Sequence, residues 1–360
     1  MRLRLIFILS LSFLSSAFAQ DSVIHISGFA DLYYAYDFNK PIDRNRSFTT
    51  QPLRHNEFNL NWGFIKADYL HERVRSSFAL QTGTYVQVNY AYEPDLLRLI
   101  YLANIGYKLS EKIWIDAGIM PSHIGSESAI SMENFNYSRN IASDYSPYYQ
   151  CGIHLSVDFS PKLSAKVALL NGFQIIKENN NAKSLGVLLS YRPNGKIEIA
   201  YNNYLGNEAP SDSIVINDVM SKLDQKYRFL NDVYVKMKLT EKFSLVLAGE
   251  YNWQEKFENK ETGKWFTGVV NGQYQVTRKF AIAGRFEIYS DKNQIMVVTG
   301  SPEGFQVRST TITLNYFPEQ NLCLRLEGRS FISKDAIYPT ENNLLVKDNS
   351  FISLSAAVKF

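Results

Sequence analysis

Cysteine is nearly absent from this chain: 360 residues contain only Cys151 and Cys323. The two fall on segments far apart in any sheet order and on opposite faces by parity, so a disulfide is not expected and each reads as an isolated thiol. Long hydrophobic runs are missing beyond the N-terminus. No later stretch approaches the roughly 18–20 apolar residues that a membrane-crossing helix requires. Charge of one sign is lacking as well: the formal net charge is +3, and loss of Arg2 and Arg4 with the leader described below takes it to about +1. That balance excludes both a polybasic nucleic-acid surface and an acidic tail.

Signatures of catalysis are equally sparse. The five histidines, His25, His55, His71, His123 and His154, show none of the spacings of a metal site. No P-loop, dinucleotide fingerprint or G-x-S-x-G elbow occurs, and no cofactor is expected. His25, Ser27 and Asp31 share one parity near the start of the chain, but alternating strands produce such coincidences freely. A hydrolase is therefore the weakest of the readings, and the chain is expected not to be an enzyme.

What is present begins with the N-terminus. Arg2 and Arg4 precede an apolar stretch from Leu5 to Leu14, and Ala17-Phe18-Ala19 offers a small-residue cleavage site. Residues 1–19 thus read as a secretory signal peptide cut before Gln20, leaving 20–360 as a single domain with no linker or composition shift. No cysteine follows the cut, so a lipid anchor is not indicated.

A polar tight turn, usually carrying Lys, recurs along the chain and leads at once into an alternating strand. It occurs at Ser110-Glu111-Lys112, Pro161-Lys162, Asn194-Gly195-Lys196, Thr240-Glu241-Lys242 and Thr277-Arg278-Lys279. Turn residues between period-2 apolar runs predict antiparallel hairpins. The period-2 pattern gives about sixteen strands, near 23–37, 56–69, 73–88, 99–109, 112–120, 148–159, 162–172, 183–192, 195–205, 227–239, 242–253, 264–277, 279–290, 305–317, 320–332 and 349–360. The parity of the second strand breaks near Ile65 and Lys66, where a bulge would restore register; alternation also slips around Ser309 to Ile312.

Short and long connections alternate, as in an outer-membrane barrel with tight periplasmic turns and longer extracellular loops. Phe243, Leu245, Leu247, Tyr251 and Trp253 share the parity expected to face lipid, against Ser244, Glu250 and Asn252. Tyr107, Phe159, Tyr191, Phe243 and Phe280 lie near the tight turns, and Tyr34, Tyr36, Tyr251 and Trp253 near the other rim, as two aromatic girdles would. The last strand alternates Ile352, Leu354, Ala356, Val358 and Phe360, resembling the C-terminal signal read by the barrel-assembly machinery. The fold class is thus all-β: a transmembrane antiparallel barrel of about sixteen strands in the bacterial outer membrane.

About eight strands fill a barrel with side chains, whereas about sixteen leave an aqueous channel. The inward parity fits a wet lumen, carrying Asp31, Arg75, Asp116, Lys166, Glu198, Asp232, Lys236, Glu250, Arg285, Glu287, Arg325, Glu327 and Arg329. Against lipid at the midplane each Lys or Arg would cost about 2–4 kcal/mol. The longest extracellular connection is 121–147, and structureless loops of that length are usually functional.

Within and beside this loop, Gly125-Ser126-Glu127, Asn134, Tyr137-Ser138-Arg139, Pro147, Gly152 and Leu170-Asn171-Gly172 followed by Phe173 resemble the OmpL-like family of outer-membrane β-barrel porins. Ser126 is smaller than the residue common there. The resemblance implies a pore for passive diffusion of small polar solutes or ions. General porins, which the architecture also resembles, fold their third extracellular loop into the barrel. Glu127, Glu133, Arg139 and Asp144 are therefore expected to help form a constriction. Strands opposite the loop in a sixteen-strand ring carry Arg285, Arg308, Arg325 and Arg329, so an acidic loop facing a basic pore wall would set a transverse field. The alternative is that Glu287 and Glu327 neutralise these arginines. Expected partners are outer-membrane lipid, permeating solutes and the assembly machinery through Phe360, with a homotrimer as the assembly suggested by analogy. A barrel whose loops bind at the cell surface is the other class kept open.

Overall fold

The computed structural model describes residues 24–209, 214–216, 219–221, 226–255 and 261–360. The expected signal peptide lies outside the described residues. Sixteen antiparallel strands close into a barrel in sequential order. They are β1 (Ile24–Asp37), β2 (Phe58–His71), β3 (Val74–Thr82), β4 (Ile100–Ser110), β5 (Ile113–Pro121), β6 (Tyr149–Ser160), β7 (Leu163–Leu170), β8 (Ser184–Asn194), β9 (Ile197–Asn207), β10 (Tyr227–Lys238), β11 (Phe243–Glu255), β12 (Thr262–Gln275), β13 (Phe280–Asp291), β14 (Phe305–Glu319), β15 (Leu322–Ser333) and β16 (Asp348–Lys359). The ring closes where β1 pairs with β16. Gly28 N–H donates to the Phe360 carbonyl at 2.8 Å, and Phe360 N–H donates back to Gly28 at 3.1 Å.

The turns form for local reasons. In the β10–β11 turn, Thr240 Oγ1 accepts from the N–H groups of Lys242 and Phe243 at 3.2 and 2.9 Å, and Thr277 does the same for Lys279 and Phe280. Such side-chain acceptors replace ladder bonds that a reversing chain gives up. Period 2 then sorts the faces. On β11, Leu247 and Tyr251 are exposed on the outer wall, while Glu250 and Asn252 are buried on the inner one. Both cysteines are free, Cys323 buried inward and Cys151 on the opposite parity.

Three sequence expectations are corrected. The third strand ends at Thr82 instead of continuing to 88, because Gly83 takes a φ of 129° and starts a short helix over Thr84–Asn89. The alternation of Thr84-Tyr85-Val86 mimics a strand, yet the helix places Tyr85 against Trp62 at 4.6 Å between ring centroids, inside the barrel. A Cβ at position 83 would lie 2.4 Å from the Asn61 carbonyl oxygen, so only glycine permits this exit. The register shift on β2 falls at Asn61, between the Asp31–Trp62 and Leu32–Leu60 pairs, not at Ile65. Ser309–Ile312 pairs regularly with β13 and β15; the apparent slip is polar Thr310 sitting on the outer face.

The interior also differs from a simply water-filled tube. The buried part of the first long connection, residues 46–52, where Thr50 bonds Asp144 and Tyr148, lies inside the barrel with the helix at Thr84–Asn89 and the loop after β5. A buried aromatic cluster of Phe29, Trp62, Phe64, Tyr85, Tyr90, Tyr101, Tyr148 and Tyr149 fills one side. A wall of sixteen strands is too wide for its own side chains to fill, and loops supply the missing contents.

Candidate functional site: a loop clamped inside the barrel

The segment 122–148 leaves β5, crosses the lumen and returns to β6, with a 3-10 turn at Ser131–Glu133 and one helical turn at Ile141–Asp144. Its backbone carries donors and acceptors that neither element satisfies internally. The far wall meets them with charge. Glu327, fully buried, accepts from Tyr137 N–H at 2.7 Å, Ser138 N–H at 3.0 Å and Thr313 Oγ1 at 2.7 Å. Glu287 accepts from Ile141 N–H at 2.6 Å, at the start of the helical turn.

Arginines take the carbonyls. Arg325 donates to the carbonyls of Ser131 and Asn134 at 2.8 and 2.9 Å, and Arg329 to that of Arg139 at 2.9 Å. Arg285 donates to the carbonyls of Ser138 and Arg139 at 2.7 and 3.1 Å. Each guanidinium is also tied to the wall: Arg285 and Arg329 both bond Glu287, at 3.1 and 2.6 Å, and Arg325 bonds Asn315 at 2.6 Å. Bonds with an ionised partner are about twice as strong as neutral ones. The clamp is therefore built from the strongest hydrogen bonds the chain can make.

The predicted site residues are distributed unevenly. Arg285, Arg325 and Arg329 do face inward opposite the loop, but their charge is engaged by the loop backbone and Glu287. Arg308 lies on the outer face instead. It shares parity with Ile312 and Leu314, pairs with Ile288 and Ile332, and is exposed near the extracellular end of β14. A long stem allows it to reach the headgroup region there. Of the loop residues, Arg139 is buried over the ring of Tyr148 at 4.2 Å, and Asp144 is buried against Thr50 Oγ1 and Tyr148 OH, both of which donate to it. Burial pushes the Asp144 carboxyl above its ordinary range, against the pull of Arg139 and Arg329.

Glu127 accepts from Asn140 N–H at 2.7 Å and approaches Arg285 at 3.4 Å. Glu133 is the exposed one and pairs with Lys359 at 2.8 Å. Partial burial raises its carboxyl, but the bonds from Lys359 and Ser128 outweigh this and hold it below the usual range. Both glutamates line a cavity of about 370 Å³ that opens towards the tight turns, together with Glu198, Lys236 and Asn271. Asp144, Tyr145, Tyr148, Phe173 and Arg228 line a second cavity of about 1140 Å³ towards the long loops. The clamped loop lies between the two.

The loop's stems are pinned separately. His123 Nε2 donates to the Asn203 carbonyl at 2.9 Å, and Nδ1 lies 2.7 Å from the Gln150 amide. Burial pushes this imidazole below its ordinary value. Gly125 N–H donates to Asp232 at 3.3 Å and Ser146 Oγ to Glu250 at 3.2 Å. Asp232 and Glu250 were legible as inward-facing residues only; their meeting with the stems follows from strand register. Thr50, from the first long connection, was not signalled by any pattern. His25, Ser27 and Asp31 form no reactive group: His25 is exposed near one rim, whereas Asp31 is fully buried and bonded to Asn61.

A closed sixteen-strand barrel with tight turns at one rim, an apolar outer wall and a long loop docked across a polar lumen is a transmembrane β-barrel of the porin type. The chain belongs to the family described as "Putative beta-barrel porin-2, OmpL-like", whose model matches residues 23–360. It is accordingly an outer-membrane porin, a channel for passive diffusion. Comparison with curated protein sequences finds no significant relative. Solved structures share the fold. The outer-membrane channel DcaP of Acinetobacter baumannii superposes with a TM-score of 0.62 at 11% identity, over 94% of this chain and 97% of that one. Pseudomonas putida OprB gives 0.62 at 8% identity over 98% and 96%. An anion-selective porin from Comamonas acidovorans gives 0.57 at 9% identity over 94% and 100%.

Proposed function

We propose that the channel passes small hydrophilic solutes and ions, and that residues 122–148 set the size of its opening. The observation that carries this reading is the clamp: Glu287, Glu327, Arg285, Arg325 and Arg329 hold the loop backbone across the lumen between the two cavities. In this reading Glu127 and Glu133 are the loop carboxylates that a permeating solute meets. Arg139 and Asp144 stiffen the loop from within. The barrel acts without catalysis and assembles as a homotrimer, the form in which Vibrio cholerae OmpT has been solved. Phe360, at the barrel seam, is the residue offered to the assembly machinery.

Deleting residues 128–140 removes the clamped backbone and leaves the stems. Single-channel conductance in planar bilayers should rise, and liposomes should swell faster in small sugars. Unchanged conductance in a correctly folded deletion variant would refute the loop's role, and liposomes that admit no sugar with either protein would refute solute passage.

A further inference from the structure

Near its extracellular end the outer wall carries aromatics: Tyr34 and Tyr36 on β1, Phe58 on β2, Tyr251 and Trp253 on β11 and Phe266 on β12. On β14–β16 this girdle is interrupted. The outward positions there are Gln306, Arg308 and Thr310 on β14, Ser330 on β15 and Ser350 on β16. Strand register gathers them into one polar patch. Thr310 pairs with Ser330, which pairs with Ser350, and Arg308 stands two residues above this row, towards the extracellular rim. Ser350 Oγ donates to Ser330 Oγ at 2.9 Å.

Arg308 is exposed and, among the described residues, has no hydrogen-bond or ion-pair partner. Asp348, outward at the start of β16, lies two strands away beyond Ile332. The neighbouring acids are already engaged. Glu303 takes both Lys334 and Lys292, at 2.7 and 3.4 Å, and Asp335 accepts the Glu303 N–H at 2.9 Å. Lys334 sits beside Gln306, whose carbonyl accepts its N–H at 3.0 Å. Three cations thus face two carboxylates, and Arg308 is left uncompensated on a wall that faces lipid, where a guanidinium is stable only if it reaches headgroups. A second observation lies below the patch. Ile312 pairs with Gly284 on one side and Gly328 on the other, and a Cβ at either glycine would meet nothing within 4 Å. Two shallow apolar furrows therefore flank Ile312 and lead down the wall from Arg308.

We propose that this face of β13–β16 binds a phosphorylated glycolipid of the outer leaflet, with a phosphate on Arg308 and Lys334, polar headgroup atoms on Thr310 and Ser330, and acyl chains in the furrows beside Ile312. A planar guanidinium meets a phosphate through two parallel N–H···O bonds, and an unpartnered arginine can offer both. The charge complementarity is therefore to a lipid phosphate, and the hydroxyl row and furrows below continue the match in the order in which headgroup and chains enter a bilayer. The proposal concerns the outer wall alone and does not depend on what crosses the lumen.

The test is native mass spectrometry of the purified full chain in detergent, titrated with diphosphorylated lipid A, with the same lipid after removal of its phosphates, and with inorganic phosphate as competitor. Wild type should retain the diphosphorylated lipid and bind the dephosphorylated form at least about tenfold more weakly, as loss of a charge-assisted hydrogen bond implies. Arg308→Gln should lose the diphosphorylated lipid to the same extent, while Arg278→Gln, exposed in a tight turn at the opposite rim, should bind it like wild type. Equal binding by wild type and Arg308→Gln, or of the two lipids by wild type, would overturn the proposal. Displacement by millimolar inorganic phosphate would make this a free-anion site and overturn it as well. An Arg308→Gln chain that loses its oligomer but keeps the lipid would assign the face to a second copy, against the proposal. Heat-dependent gel mobility checks the fold of each variant; should Arg308→Gln fail to fold, the wild-type comparison of the two lipids decides alone.

Discussion

Truncating Glu327 to alanine tests the clamp at its most concentrated point. The carboxylate accepts two loop N–H groups, from Tyr137 and Ser138, and the Thr313 hydroxyl, with no exposure to solvent. Glu327→Ala leaves both backbone donors buried without acceptors, at about 1–3 kcal/mol each, so the docked loop should lose about 2–6 kcal/mol relative to an undocked one. Arg325 still holds Ser131 and Asn134, and Glu287 still holds Ile141. Arg285 and Arg329 still hold the Ser138 and Arg139 carbonyls, and Asn315 the Phe135 carbonyl, so release should be confined to the backbone around 136–138. Glu327→Gln keeps one acceptor oxygen but turns an amide N–H2 towards the other donor, so its effect should be smaller. The assay pairs single-channel conductance with limited proteolysis across 128–140. Glu327→Ala should show a larger or noisier open level and faster cleavage, with Glu327→Gln between it and wild type. Equal conductance and equal protease resistance in all three would show that the loop does not depend on this clamp.

Two further outcomes follow from the loop stem and the seam. At His123, burial depresses the folded-state pKa below the ordinary 6.5, so the unfolded chain binds the proton more readily. The stabilisation is then fully present above that value and is lost as pH falls below it; the wild type should lose more barrel stability than His123→Asn between pH 8 and 4, read from unfolding midpoints in detergent. At the seam, a Cβ on Gly28 would lie 2.3 Å from the Phe360 ring. Because that ring can swing away, Gly28→Val should leave refolding in detergent near wild type but lower the amount of barrel inserted in cells, measured by heat-dependent gel mobility of membrane fractions.

The scaffold was legible because its signals are local. Thr240 and Thr277 close turns with their own side chains, and the period of two sorts Leu247 from Glu250 without reference to any distant residue. Strand number, orientation and the inward charges follow from these alone. Where a local pattern had two meanings the reading erred: Thr84-Tyr85-Val86 alternates like a strand, and only the packing of Tyr85 on Trp62 makes it a helix inside the barrel. Arg308 was assigned to the pore because its strand was placed correctly but its parity was not.

The amino-acid order by itself thus determined a sixteen-strand barrel with an atypical loop after the fifth strand, since hairpins and face alternation are decided within a few residues. The tertiary structure alone decided what that loop does, because its polar backbone is satisfied by residues more than a hundred positions away, such as Glu287 and Glu327. It also decided that Asp232 meets Glu250. That juxtaposition depends on the register between β10 and β11, where a slip of one residue would turn one carboxylate to the opposite face.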